Sequence, residues 1–453
     1  MIISVTVLGS SDGTAPSVIG KRIAEYLEGG RLIVAGSRAL GGINSASSSG
    51  AAAYYADSAG LRPGRWALGR AGDVDTSELA TLLSGIDPVT GEPLIAATGS
   101  AGRAQRNRGE ALTVEGLRQD WCSVNEAAAV LGVSRSYVRK FLSEMALSDT
   151  DGEFGVSVDR RGRWQVSREV LLRIDSERTP PKVVAGYDLT FSPAKSISVL
   201  WAGGDAVTRT AVLDALDESA AAGLRYLERH ALAVRVRGHS ELASGGIAAD
   251  YLHTTSRALE PQLHHHVVIA NVGVGSDGVA RALDSRTIFH HAKTASFLAA
   301  AELRHQLTTR LGVTWGEVAN GIAEIEGIPA QAIKEMSTRS RDVEAAVAAL
   351  GVSSAKARQV AAWSTRAAKD RAVDPEVLFA AWDERLSAVG YDQDARDAVI
   401  GRVEGPEVFS DEIRERLFAE LLRVDGLTDH EAVFDRRLVV QRLADLAGDR
   451  LDA

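Results

Sequence analysis

The stretch that most constrains this chain runs from Tyr251 to Val272, YLHTTSRALEPQLHHHVVIANV, where three of the ten histidines stand together and lead into an apolar segment. Val267, Val268 and Ile269 are β-branched and bounded by turn-forming residues on both sides, so Leu263–Val272 is predicted to be a strand. Alternate side chains of a strand share a face, which puts His264 and His266 together and His265 on the other side. His253 lies eleven positions before His264, far enough for a turn over Leu259–Gln262 to return a second strand beside the first. Three imidazoles then converge on one point. Neutral imidazole is the commonest metal ligand, and three protein nitrogens leave positions open for water or substrate, as catalytic sites require. A zinc hydrolase would be served by the same pattern, so the histidines alone leave the metal class open.

At 453 residues the chain is longer than one ordinary domain, and two or three compact units are expected. Its single cysteine, Cys122, excludes an intramolecular disulfide and suits a reducing cytoplasm. No apolar run reaches membrane-spanning length, so no membrane insertion is expected. The net charge of −9 is unevenly placed: Arg371–Ala453 holds 11 basic and 20 acidic side chains, and the rest of the chain is balanced. A neutral body can carry a basic groove, so bulk charge does not exclude a nucleic-acid partner.

Taken in order, Met1–Leu8 reads as a strand and Ala15–Leu27 as a helix with Tyr26 in its last turn. A Ser/Gly/Ala-rich stretch, Asn44–Ala53, precedes Tyr54 and Tyr55, and Asp75–Ser84 is a short helix. A tyrosine hydroxyl titrates near 10 and attacks phosphorus only when a metal or base helps it ionise, so these tyrosines need the histidines to be reactive. Asp188 begins the alternating part of KVVAGYDLTFSPAKSISVLWA, and Lys195 follows its turn. Val207–His230 is helical by spacing, Ala231–Arg237 returns to strand, Asp277-Gly278 marks a hairpin, and Thr294–Leu311 is an amphipathic helix. Ala330–Leu350 and Ser353–Ala368 are predicted helices, and the acidic tail reads as helical, with Gly426–Leu446 as a separate unit.

Trp121–Glu144 has another character. Glu126–Leu131, a turn at Gly132-Val133-Ser134 and Arg135–Leu142 make a helix-turn-helix with a small core from Ala127, Ala128, Leu131, Val133, Val138 and Leu142. Arg135, Ser136, Arg139 and Lys140 decorate its second helix, and Phe154–Val158 with Trp164–Val166 form a β-hairpin wing whose connection carries Arg161 and Arg163. The stretch resembles the DNA-binding domains of excisionase and MerR type, which place the second helix in a major groove.

Three segments in order, GYDLTFSPAKSISVLWA, HTTSRALEPQLHHHVVIANV and ALDSRTIFHHAKTASFLAAAELRHQLTTRLGVTW, resemble the relaxase domain of the MobF-class conjugative relaxases, members of the HUH endonuclease superfamily. The resemblance is clearest over Pro180–Asp370 and looser over Met1–Asp120. It implies that His253, His264 and His266 hold one Mg²⁺ or Mn²⁺ ion, and that Asp188 orients a ligand histidine or helps deprotonate a tyrosine. It further implies that Tyr26, Tyr54 or Tyr55 attacks one DNA strand and keeps the 5′ end covalently attached. Lys195 and Arg257, within these segments, join the candidate DNA contacts. The turn reads Ser-Pro-Ala-Lys where the family has Ser-Ala-Pro-Lys, and His265 stands where the family has a non-coordinating residue, which leaves open a register shifted onto His265. No G-x-x-x-x-G-K-[ST] motif occurs, so no helicase half is expected in this sequence.

The resulting expectation is an α+β protein, an antiparallel sheet with flanking helices built as an HUH relaxase palm. Residues 1–120 would carry the tyrosine segment, 121–178 an inserted winged helix-turn-helix, 179–370 the metal site and 371–453 an acidic helical region. The implied activity is strand-specific nicking and religation at a transfer origin. Single-stranded and duplex DNA, accessory relaxosome proteins and a type IV coupling protein are the implied partners, in the cytoplasm. The rivals are a rolling-circle replication initiator with the same chemistry and a helix-turn-helix regulator with an inactive nuclease body.

Overall fold

A computed structural model describes residues 1–10, 21, 23–24, 63–95, 121–131, 135–136, 138–139, 156–158, 163–171, 183–256, 258–338, 375–423, 427 and 434–450. The chain divides into two compact units: Met1–Leu8, Pro16–Thr90 and Val184–Ala453 form one, and Gly9–Ala15 with Gly91–Val183 the other. Among the described residues no helix is long and apolar enough to cross a membrane.

The strands in chain order are β1 (Ile2–Ser10), β2 (Arg65–Leu68), β3 (Trp121–Ser123), β4 (Val156–Val158), β5 (Trp164–Ser167), β6 (Val183–Ser192), β7 (Ala233–Val236), β8 (His239–Leu242), β9 (Ala248–Thr255), β10 (Pro261–Ala270), β11 (Gly273–Val274) and β12 (Ala280–Arg281). The large unit is built on a five-stranded sheet of order β1-β6-β10-β9-β2, in which the β6/β10, β10/β9 and β9/β2 pairings are antiparallel. An α+β architecture with an antiparallel sheet and helices is thus present, as the resemblance implied.

The two faces of β10 differ because its residues alternate. Leu263, His265, Val267 and Ile269 share one face, joined by Phe191 and Leu189 of β6 and Leu252 of β9, all buried. That face belongs to the main core, to which the helices Ala206–His230 and Ser285–Leu311 contribute Leu216, Leu224, Leu227, Ala299 and Leu303. The two helices lie against each other, and Ser219 Oγ donates to the Ala299 carbonyl at 2.6 Å. Gly186 is required where β6 passes β10, because a Cβ there would collide with the Ile269 carbonyl oxygen.

The structure changes two expectations and decides a third. The long amphipathic helix starts at Ser285 rather than Thr294: Asp284 caps it by accepting from Arg286 N, and Ile288 and Ala292 continue its buried stripe upstream. The stretch after Ser192-Pro193-Ala194, open in sequence to strand or helix, is a helix, Lys195–Gly203. The C-terminal residues do not stand apart. Trp382, Leu386, Tyr391 and Val399 enter the main core, and the helix Arg436–Leu446 packs along Ser285–Leu311. The first four are held by apolar burial, and the last helix by buried Arg304, which donates to the Ala444 and Gly448 carbonyls at 2.8 Å each and is offset by Asp445 and Asp449. Ser353–Ala368 and the end of Ala330–Leu350 lie outside the described residues, where Ala330–Glu335 is helical.

The smaller unit holds a three-stranded antiparallel sheet of order β3-β5-β4, with Cys122 and Val156 both paired to Val166. Helix Val124–Leu131 follows β3 directly, and its start is closed reciprocally: Ser123 N donates to Glu126 Oε2 at 2.8 Å, and Glu126 N to Ser123 Oγ at 3.3 Å. Residues 135–136 and 138–139 are helical. Cys122, Val124, Ala127, Ala128, Val138, Val166, Val170 and Leu171 form a core of this unit's own.

Candidate metal centre

The second face of β10 carries the site. Antiparallel pairing sets His264 directly opposite His253 on β9, and His266 opposite Tyr251 on β9 and Thr190 on β6. The His253, His264 and His266 ring centroids are 4.7–5.2 Å apart, and one ring nitrogen of each lies within 4.8 Å of the others. His253 and His266 are buried and His264 is half-buried, so the cluster is open at one corner. This fits a metal ion with substrate access.

The tautomers are fixed from behind. His266 Nδ1 donates to Asp188 at 2.8–2.9 Å, and Asp188 is itself buried on β6. His264 Nδ1 donates to the Gln262 carbonyl at 2.8 Å. In each case the engaged Nδ1 carries the proton, which leaves Nε2 as the lone-pair nitrogen able to ligate a cation. A carboxylate behind a ligand histidine also raises its basicity and holds its ring angle. Asp188 is thus in direct hydrogen-bond contact with one of the three clustered rings.

His265 points the other way. Its Nδ1 donates to Asp250 of β9 at 2.8 Å, its Nε2 is 3.4 Å from Asp217 of helix Ala206–His230, and it is fully buried. A register shifted onto His265 is therefore excluded, since its ring is held among core residues on the helix-covered face.

The turn between the ligand strands is placed differently from its sequence reading. It closes between Ser256 and Glu260, with Ser256 N donating to the Glu260 carbonyl at 2.8 Å, and β10 already begins at Pro261. Proline has no N–H to lose at a strand's first position, and a register irregularity between Pro261 and His264 absorbs the offset. Leu259 adopts a left-handed φ of 56°.

Three flanking segments pin this turn. Lys195 Nζ donates to the Pro261 carbonyl at 2.6 Å and approaches Gln262 Oε1 at 3.4 Å; burial draws its pKa down to about 8 against the opposing pull of Glu260. Trp382 Nε1 donates to the Leu259 carbonyl at 2.9 Å, and Thr338 N donates to the buried Glu260 carboxylate at 2.8 Å. Arg385 lies 3.8 Å from the same carboxylate. Glu260, Trp382 and Arg385 carried no signal in the sequence, since their relation to the histidines exists only through the fold.

Of the other sequence candidates, Arg135, Ser136, Arg139 and Arg163 are exposed on the smaller unit. Tyr26, Tyr54, Tyr55, Lys140, Arg161 and Arg257 lie outside the described residues.

Fold and site together define an α+β protein of HUH type, with paired histidines on a central strand and a third beside them. The TrwC relaxase family model matches residues 38–389, most of the chain, and the chain belongs to that family. The Multifunctional conjugation protein TraI of Escherichia coli is 36% identical over 233 residues, which is 48% of this chain and 13% of that protein. This chain thus spans a small part of that relative's length. The conjugative relaxase TrwC in complex with oriT DNA has a similar fold: a copper-bound structure aligns with TM-score 0.54 and a metal-bound one with 0.52. Both are 23% identical, covering 86% of this chain and 99% of that chain.

Proposed function

We propose that this chain nicks and rejoins one DNA strand at a transfer origin, using a tyrosine from its N-terminal segment. The carrying observation is the convergence of His253, His264 and His266 with Asp188 behind His266. Family membership and the oriT DNA held by the similar TrwC structures support the same reading. Nicking forms a bond from a tyrosine oxygen, which gives up its proton, to phosphorus and breaks the bond from phosphorus to the 3′ oxygen, which takes up a proton; religation reverses this. A divalent ion at the histidines, Mg²⁺ or Mn²⁺, would supply positive charge against the scissile phosphate. Asp188 and the Gln262 carbonyl hold two ligand rings, and Lys195, Trp382 and Glu260 fix the turn that presents them. No nucleotide is needed, because the phosphotyrosine conserves the bond energy. The cytoplasm, accessory relaxosome proteins and a type IV coupling protein complete the proposal.

The test is incubation with labelled single-stranded DNA spanning a candidate transfer origin, with Mn²⁺ or EDTA, followed by mass spectrometry. A metal-dependent adduct at Tyr26, Tyr54 or Tyr55 is expected and names the nucleophile. A chain with all three changed to Phe that still nicks would overturn the tyrosine assignment. Adducts formed at a replication origin and not at a transfer origin would favour the rolling-circle initiator.

A further inference from the structure

The described residues of the smaller unit have a core of their own and a reciprocal helix cap. Its polar residues are arranged unevenly. Val138 is buried in the core while Arg135, Ser136 and Arg139 are exposed, so the helical residues after the turn present a polar side away from that core. From Ala127 to Ser143 the sequence holds Arg135, Arg139 and Lys140 and no acidic residue. From Arg160 to Arg168 it holds four arginines and no acidic residue. The second basic stretch leads from the hairpin connection into β5, which pairs with β4, and Arg163 is exposed there. Two stretches free of acidic residues, the helix after the turn and the run into β5, thus carry basic side chains. These are the two elements that a winged helix-turn-helix sets against the groove and backbone of duplex DNA.

We infer that the Gly91–Val183 unit is a duplex-DNA reader, with Arg135 and Arg139 facing the major groove and the β4–β5 hairpin lying along the adjoining backbone. The occupant is double-stranded DNA rather than the single strand that is nicked. A helix bearing arginines on one side fits a major groove about 12 Å wide, whereas unpaired strands are held chiefly by stacking on aromatic rings. Duplex binding requires neither metal nor tyrosine and stands independently of the nicking proposal.

The test uses the full chain in EDTA, where nicking is silent, and selects from a pool of short duplexes of randomised sequence. Enrichment of a defined duplex is expected, and Arg135→Ala with Arg139→Ala should weaken its binding at least about tenfold and flatten its salt dependence. Arg414→Ala, on an exposed C-terminal helix, should not change it. A second reading guards against a folding defect. Cys122 is the sole cysteine and is buried, so Arg139→Cys can be labelled selectively with a photocrosslinker and should crosslink to the enriched duplex. Absence of any enriched duplex, retained affinity in the double variant, or binding without a crosslink from position 139 would each overturn the inference. The last two would leave a helical hairpin that packs on protein. None of these outcomes bears on adduct formation with single-stranded DNA, so the two proposals fail separately.

Discussion

Neighbouring residues of β10 make the same chemical contact to opposite ends. His265 and His266 each donate Nδ1 to an aspartate at 2.8 Å, Asp250 for one and Asp188 for the other. On the helix-covered face the partner carboxylates close around His265, with Asp217 on its far side. On the second face the remaining nitrogen of His266 meets two further imidazoles. One histidine–aspartate pair therefore serves the core, and the other serves a cation site. The lesson is that a hydrogen-bonded imidazole acquires function from what faces its second nitrogen, and β-pleating decides that.

The comparison can be broken experimentally. The largest effect is expected from His253→Ala, His264→Ala or His266→Ala, each of which should abolish nicking and metal binding measured by calorimetry while leaving the fold intact by circular dichroism. His265→Ala should do the opposite. It should lower unfolding free energy by about 1.5–3 kcal/mol in urea titrations, because two carboxylates lose a buried partner, and leave metal affinity unchanged. If His265→Ala removed metal binding as fully as His266→Ala, the division between the faces would be wrong.

Asp188→Asn tests the support behind the site. It should weaken metal binding by about 10- to 100-fold without matching the loss from a ligand itself, since the ring keeps a partner but a weaker one. Trp382→Phe deletes one hydrogen bond to the Leu259 carbonyl and should cost about 1 kcal/mol of stability, with a smaller drop in metal affinity than Asp188→Asn.

The smallest effect concerns pH. Burial holds Lys195 at about 8 in the folded chain, whereas an unfolded lysine titrates near 10.4. The unfolded state therefore binds more protons between those values, and this group makes stability rise with pH across that window and nowhere below it. Lys195→Met should remove that rise from a series of urea midpoints; an unchanged slope would show that Lys195 is not held in this environment.

Much of this was legible without coordinates. The period of two in Leu263–Val272 was sufficient to pair His264 with His266 and to send His265 elsewhere, because strand geometry admits no other arrangement. The apolar spacing of Val207–His230 gave a helix that the structure runs from Ala206 to His230. The helical core pattern around Ala127, Ala128 and Val138 likewise lies in one cluster. The turn between the ligand strands was misplaced by local signals. Its closure at Ser256 and Glu260 depends on Trp382, 123 residues away from Leu259.

The sequence by itself determined which residue types stand on which face of β10, since that follows from backbone stereochemistry within one segment. Only the tertiary structure decided which strands flank it, and with them that His253 stands opposite His264 and Asp188 reaches His266 across 78 residues. It also decided that the helix Arg436–Leu446 packs along Ser285–Leu311, where Asp445 and Asp449 offset a buried Arg304 that no local pattern reveals. Side-chain alternation is local and written in the sequence. Strand pairing and charge compensation are long-range, and they exist only once the chain has folded.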